Sequence, residues 1–243
     1  MLFGWRPKAV EVMITDVTRM SEDKICIAAD TDGKTVRLHE PQPREGWLNS
    51  VGGLRPGDIV SLEWRPARRY RRPHSEDGSW APATFARVRR LGLSEASDKV
   101  ALSAFGSVEQ AFGKPLFVTE KGNPAFRPGL GSRSLATVLA KNISVYPHGE
   151  RVRTDFSDAK RTWSMVPVED LAIRQHQQAC RECSVRFREF LAKQFEADTA
   201  LLRIGLSRPY QGGTNPLGCY LQVNHIFPVP PRSGHFSGDK EGT

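Results

Sequence analysis

The run Arg65–Trp80 reads RPARRYRRPHSEDGSW and carries the side chains in this chain most suited to chemistry. Five arginines, Arg65, Arg68, Arg69, Arg71 and Arg72, surround Tyr70, and His74, Glu76 and Asp77 follow within a few residues. Pro66 and Pro73 deny the run a continuous helix, so a loop or a strand edge is predicted. Guanidinium forks pair phosphate oxygens bidentately, and an interleaved ring can stack on a base, so Arg68, Arg69, Tyr70, Arg71 and Arg72 form a candidate nucleic-acid surface. A solvated basic loop that binds nothing has the same composition. His74 beside two carboxylates has the chemistry of an acid/base or metal cluster, and hence of a hydrolase. A hydrolase needs a nucleophile or a complete ligand set besides, and the chain shows no second matching cluster. The carboxylates are therefore expected to pair with the neighbouring arginines and pin the loop, and no catalytic residue is assigned.

Three further constellations follow. Arg127–Ser134, RPGLGSRS, is a glycine-rich basic loop whose N–H groups, hydroxyls and Arg133 could cradle a phosphate, although it lacks the Lys-Ser/Thr pair of a nucleotide-binding P-loop. An interdomain turn needing glycine at positive φ is the competing reading. Arg208 and Tyr210, in SRPY, repeat the pairing of an arginine with an aromatic. His176, Cys180 and Cys183 fall at i, i+4 and i+7, with Cys219 or His225 as a conceivable fourth zinc ligand. One C-x-x-C without a second pair is weak, and the same helical face continues into Phe187 and Phe190, so core packing is predicted, with no metal and no cofactor.

Composition narrows the classes. The 243 residues suffice for one large or two small domains, and 39% hydrophobic with 26% charged residues is ordinary globular content. A net charge of +8 favours an acidic partner, nucleic acid first and an anionic membrane surface next. Four unevenly spaced cysteines do not make a secreted disulfide framework. The opening MLFGWRPKAV lacks a long apolar run, and no stretch approaches the roughly 18 apolar residues of a membrane span. A soluble, cytoplasmic chain without membrane contact is expected.

The elements that must position these side chains are mostly strands. Ala9–Val17, Lys24–Ala29 and Thr35–Leu38 are β-rich, the last following an Asp32-Gly33 turn. Leu54–Asp58 turns into Ile59–Trp64, where apolar and polar residues alternate. A strand is predicted around Phe85–Leu91. A short helix is predicted at Val108–Phe112, with Ser107 as N-cap, Gln110 completing a capping box and Gly113 ending it. Pro115–Thr119, Ser134–Tyr146, Arg151–Phe156 and Arg161–Val166 read as strands, the last two joined at Ser157-Asp158. From Asp170 to Phe195 the period changes to that of one long amphipathic helix. Leu201–Leu206 and Cys219–Phe227 close the pattern, and the tail 228–243 is expected to be disordered.

Short strands in two similar sets suggest two small barrels in tandem. The runs ITDVTRM, CIA, LRPGDIVSLEW, RPHSEDGSW, RPGLGSRSL, LLRIGLSRPY and CYLQVN, spread from Met13 to Phe227, resemble the bacterial dual OB-fold domain family. That resemblance implies two OB-folds and a nucleic-acid-binding component of prokaryotic conflict systems, with no reaction attached.

The expectation is a mainly β protein of two OB-like barrels, 1–114 and 115–227, with the long helix of about 170–195 in the second. Its expected function is non-enzymatic nucleic-acid binding, single strands favoured, through Arg68, Arg69, Tyr70, Arg71 and Arg72 in the first barrel and Arg133, Arg208 and Tyr210 in the second. The alternative is an adaptor that docks a partner nuclease or ATPase through protein contacts.

Overall fold

The computed structural model describes residues 8–21, 23–120, 122–179, 198–211 and 216–229. Two β-barrels of the same topology follow one another. In the first, β1 (Lys8–Ser21), β2 (Lys24–Thr31), β3 (Lys34–Glu40), β4 (Asp58–Pro66) and β5 (Asp77–Trp80) run in the order β1-β2-β3-β5-β4, and β4 returns to β1 to close the ring. The β3–β5 pairing is parallel and the others are antiparallel. Helix α1 (Glu45–Ser50) sits between β3 and β4, and β6 (Ala86–Arg90) extends the outer side of β4. This is the OB arrangement, a five-stranded Greek-key barrel.

Helix α2 (Leu93–Ala101), β7 (Ala104–Phe105), helix α3 (Val108–Phe112), β8 (Phe117–Val118) and β9 (Pro124–Phe126) lead to the second barrel. There β10 (Leu135–His148), β11 (Arg151–Ser157), β12 (Thr162–Val168), β13 (Thr199–Leu206) and β14 (Cys219–Pro228) repeat the order, as β10-β11-β12-β14-β13 and back to β10. A parallel contact of Val168 with Val223 closes it. Helix α4 (Leu171–Ala179) leaves β12 with Asp170 accepting from the Ile173 N–H at 3.0 Å, an N-cap bond. It occupies the position that α1 holds in the first barrel. The remainder of the helix expected to reach Phe195, with Cys180 and Cys183, and the tail from 230 onward lie outside the described residues.

Side-chain alternation explains how the barrels meet. A strand covered on one face alternates buried and exposed positions, whereas β1 is buried continuously from Val12 to Thr18 and β13 from Ala200 to Leu206. Val12, Ile14 and Val17 enter the core of the first barrel, and Leu202, Ile204 and Leu206 that of the second. The intervening Met13 and Leu201 point the other way, into an apolar cluster shared with Ile59, Leu91, Ala96, Val100 and Phe227. Helix α2 thus packs at the junction of both halves, and α3 contributes Val108, Ala111 and Phe112 to the second core.

Most strands lie where the alternation predicts them. The α3 caps do too: Ser107 Oγ accepts from the Gln110 N–H at 3.2 Å, and Gly113 has φ +76°. The Gln110 side chain reaches one residue further back than a capping box requires, to the Gly106 N–H. Helices α1 and α2 and strand β5 were not expected. The buried face of α2 is made of Ala96, Ser97 and Val100, too small and mixed to register as an apolar stripe. Strand β5 reads DGSW and has no alternation to detect.

Candidate nucleic-acid interface

Arg65 belongs to β4, and residues 67–76, with the other four arginines of the run, form the β4–β5 connection of the first barrel, one of the loops through which OB-folds contact oligonucleotides. Arg68, Arg69, Arg71 and Arg72 are exposed and Tyr70 is 50% exposed. Among the described residues no carboxylate pairs with any of these four arginines.

The expected pairing of the loop's own carboxylates with its own arginines is corrected by the structure. His74, Glu76 and Asp77 are 1%, 7% and 4% exposed, and each turns away from the loop into the contact between the barrels. Asp77 accepts from Arg37 Nη1 of β3 at 3.0 Å and forms a two-pronged pair with Arg208, at 2.8 and 3.0 Å. Glu76 accepts from the Ser134 and Leu135 N–H groups, at 2.6 and 3.1 Å, and from Ser134 Oγ. The cause is burial: a carboxylate with a fixed donor set inside the barrel contact outcompetes pairing to mobile, solvated guanidinium groups.

His74 Nδ1 lies 3.2 Å from Arg37 Nη1. Arginine only donates, so Nδ1 accepts and the imidazole is neutral, with its proton on the buried, partnerless Nε2. Burial, reinforced by the charges of Arg37 and Arg208, holds the His74 pKa down at about 3. Burial alone would raise the Asp77 pKa, but the Arg208 hydrogen bond and the Arg37 charge hold it below the ordinary carboxylate value.

A second buried knot joins the barrels. Arg203 of β13, 2% exposed, donates from Nε to Asp16 of β1 at 2.9 Å, and Asn224 Nδ2 reaches the other Asp16 oxygen at 3.2 Å. The approach of Asn224 depends on Gly205, where a Cβ would stand 2.7 Å from the Asn224 amide.

The glycine-rich loop lies against the arginine loop. The Gly129 N–H donates to Arg72 O at 3.1 Å and Ser75 Oγ to Ser132 O at 2.5 Å. Two N–H groups that a phosphate cradle would use, those of Gly129 and Ser134, are therefore already spent on protein. Arg133 is exposed and packs over the Phe105 ring, 5.0 Å from its centroid.

Arg208 and Tyr210 occupy the β13–β14 connection, the equivalent loop of the second barrel. The Arg208 fork is held by Asp77. Tyr210 is 59% exposed and meets Tyr220 edge to face at 6.4 Å. Both tyrosines line a cleft of about 570 Å³ formed by residues of both barrels. Among the described residues no group of three or more His, Cys, Asp and Glu side chains is placed to hold a metal ion, and no helix is long and apolar enough to cross a membrane. The buried Cys219 thiol is pushed up to about 11 by desolvation.

Sequence reasoning passed over Arg37, Asp16 and Arg203. Their one signal is a charge inside a strand that is otherwise buried, as in TVRL and LLRI.

Strand order and loop placement together define a tandem OB-barrel protein with a basic loop surface. No family model matches the chain, and no curated protein matches it significantly. Among solved structures it is similar to a murine DNA-binding protein bound to double-stranded DNA, at 10% identity over 91% of this chain and 100% of that one, with a TM-score of 0.32. The tetrameric p202 HIN2 is similar at 9% identity over 90% and 94%, with a TM-score of 0.30. The p204 HINb domain is similar at 11% identity over 90% and 96%, with a TM-score of 0.35.

Proposed function

We propose that the protein binds nucleic acid without catalysing a reaction, with the β4–β5 loop of the first barrel as its principal contact. One observation carries this reading: Arg68, Arg69, Arg71 and Arg72 stand exposed around Tyr70 with no ion-pair partner among the described residues, because the adjacent carboxylates are occupied by Arg37, Arg208 and Ser134. Unneutralised guanidinium forks beside an exposed ring suit a phosphate backbone with unstacked bases, which favours single strands. Arg133 and Tyr210 extend the surface onto the second barrel. Arg208, whose fork holds Asp77, keeps the two loops together. The setting in a prokaryotic conflict system rests on the family resemblance and belongs to the same proposal.

The test is the salt dependence of binding to matched single- and double-stranded DNA and RNA. For a single strand, log K falls with log salt by about 0.7 for each phosphate neutralised. Replacing Arg68, Arg69, Arg71 and Arg72 by glutamine is expected to flatten that slope by about 3, since none of the four pairs with a carboxylate among the described residues. Tyr70→Ala is expected to cost about 1 to 3 kcal/mol and leave the slope unchanged, because stacking is lost and charge is not. A four-arginine variant with the parent's affinity and slope overturns the loop as the contact. Negligible affinity of the parent for all four nucleic acids, with a stable co-purifying protein, is the outcome that favours an adaptor.

A further inference from the structure

The cleft between the barrels carries a charge imbalance that the arginine loop does not explain. Six arginines line it, Arg19, Arg37, Arg151, Arg153, Arg174 and Arg208, against one lining carboxylate among the described residues, Glu169. Four of the six have acidic partners: Arg19 pairs with Glu45, Arg174 with Glu169, and Arg37 and Arg208 share Asp77. Arg151 and Arg153 have none among the described residues. They stand two apart on β11, so both side chains project from the same face of the sheet.

The surroundings hold Arg153 in place. Its Nη1 donates to the Met165 carbonyl at 2.8 Å, and its Nε is buried with no partner. Met165 has φ +60°, a strained conformation for a side chain of its kind, and its N–H is tied to Asp155 Oδ1 at 2.7 Å. Strain of this sort persists where the surroundings over-determine it, which is frequent at ligand sites. Desolvation, with the like charge of Arg151 adding to it and Glu169 opposing, lowers the Arg153 pKa. Two neighbouring cations, one partly desolvated and neither neutralised, form a site that an anion stabilises.

The cleft also offers rings. Tyr210 and Tyr220 line it, edge to face with 70° between their planes, and Tyr210 leaves much of its surface open. A volume of about 570 Å³ lies within the range of small-ligand pockets, roughly 300 to 1,000 Å³. We propose that this cleft binds a phosphorylated nucleotide unit, with its phosphate on Arg151 and Arg153 and its base against Tyr210 and Tyr220. The unit comes either from a free nucleotide or from a strand already held by the protein. The proposal stands on different residues from the arginine loop and can fail or succeed without it.

Calorimetric titration of the full chain with the 5′-phosphorylated dinucleotides pApA and pdApdA, with adenosine and inorganic phosphate as controls, tests it. Arg151→Gln/Arg153→Gln is expected to weaken dinucleotide binding by about tenfold or more, the usual effect of losing a hydrogen bond to a charged group. Tyr210→Ala is expected to weaken it as well, and the four-arginine loop variant to leave it unchanged. If no dinucleotide binds but a single strand of about 10 nucleotides loses tenfold affinity in the Arg151/Arg153 variant, the unit is part of a strand and the proposal stands. If neither ligand loses affinity in that variant, the proposal is overturned. Phosphate competing as well as pApA, with Tyr210→Ala silent, overturns the nucleotide assignment. Because Arg153 supports the Met165 carbonyl, Arg151→Glu serves as a second variant: this residue is exposed and has no acidic partner among the described residues, so its circular dichroism and melting must match the parent while binding is lost. Retained binding in a folded Arg151→Glu protein is equally decisive against the cleft.

Discussion

His74 shows how one buried ring ties stability to pH. Its pKa falls from the ordinary 6.5 to about 3 in the folded protein. Between those values the unfolded chain binds a proton that the folded chain does not, so stability rises with pH through this window and is fully present only above about 6.5. Asp77 acts in the same direction at lower pH, since a depressed carboxylate pKa contributes stability that is lost as pH falls below its unfolded value of 3.8. Urea unfolding at pH 7, 5.5 and 4 is expected to show a decline approaching about 1.4 kcal/mol per pH unit from His74. His74→Gln, which cannot be protonated, is expected to flatten that decline even if it lowers stability at pH 7. An unchanged pH profile in His74→Gln would remove the ring as the cause.

Strand β5 is short and polar, and its place in the barrel depends on contact rather than on propensity. Gly78 lies under the Trp64 indole so closely that a Cβ there would meet Trp64 Nε1 at 2.1 Å and Cε2 at 2.3 Å. The glycine lets the ring of β4 cover β5, while Trp80, the last residue of β5, donates from Nε1 to Pro41 O at 2.8 Å. Gly78→Ala is expected to cost about 1 to 3 kcal/mol through displacement of the indole. Combining it with Trp64→Leu should recover part of that loss in a double-mutant cycle, whereas simple additivity of the two would show that the strain lies elsewhere. Because β5 directly follows the arginine loop, Gly78→Ala should also weaken nucleic-acid binding if the loop's placement contributes to it.

The two barrels are joined by the apolar cluster around Met13, Leu201 and Phe227 and by two ionic knots, and this predicts one cooperative unfolding transition. Scanning calorimetry is expected to give equal calorimetric and van't Hoff enthalpies. Asp16→Asn leaves Arg203 buried without its counter-charge, and removing one partner of such a pair costs about 3 to 5 kcal/mol. The variant is expected to melt much earlier and, because the lost contact joins the barrels, to broaden or split the transition. Two transitions in the parent protein would refute the coupling.

Much of this architecture was legible locally. The period of two in Ile59–Trp64 and the caps of Val108–Phe112 depend on residues within a few positions of one another, so the sequence displays them directly. The loop character of residues 67–73 follows equally from the prolines that bracket the arginines and from the charge. Tertiary structure alone decided which charges stay free. Asp77 meets Arg208 across 131 residues and Asp16 meets Arg203 across 187, separations at which no spacing rule operates. The same is true of the cleft, which exists only because two barrels pack together and leave Arg151 and Arg153 without an acidic partner among the described residues. A local reading gave Glu76 and Asp77 to the nearest arginines. Folding gave them to donors that burial had made rigid and dry, because a buried carboxylate must be satisfied whereas an exposed arginine is already solvated by water.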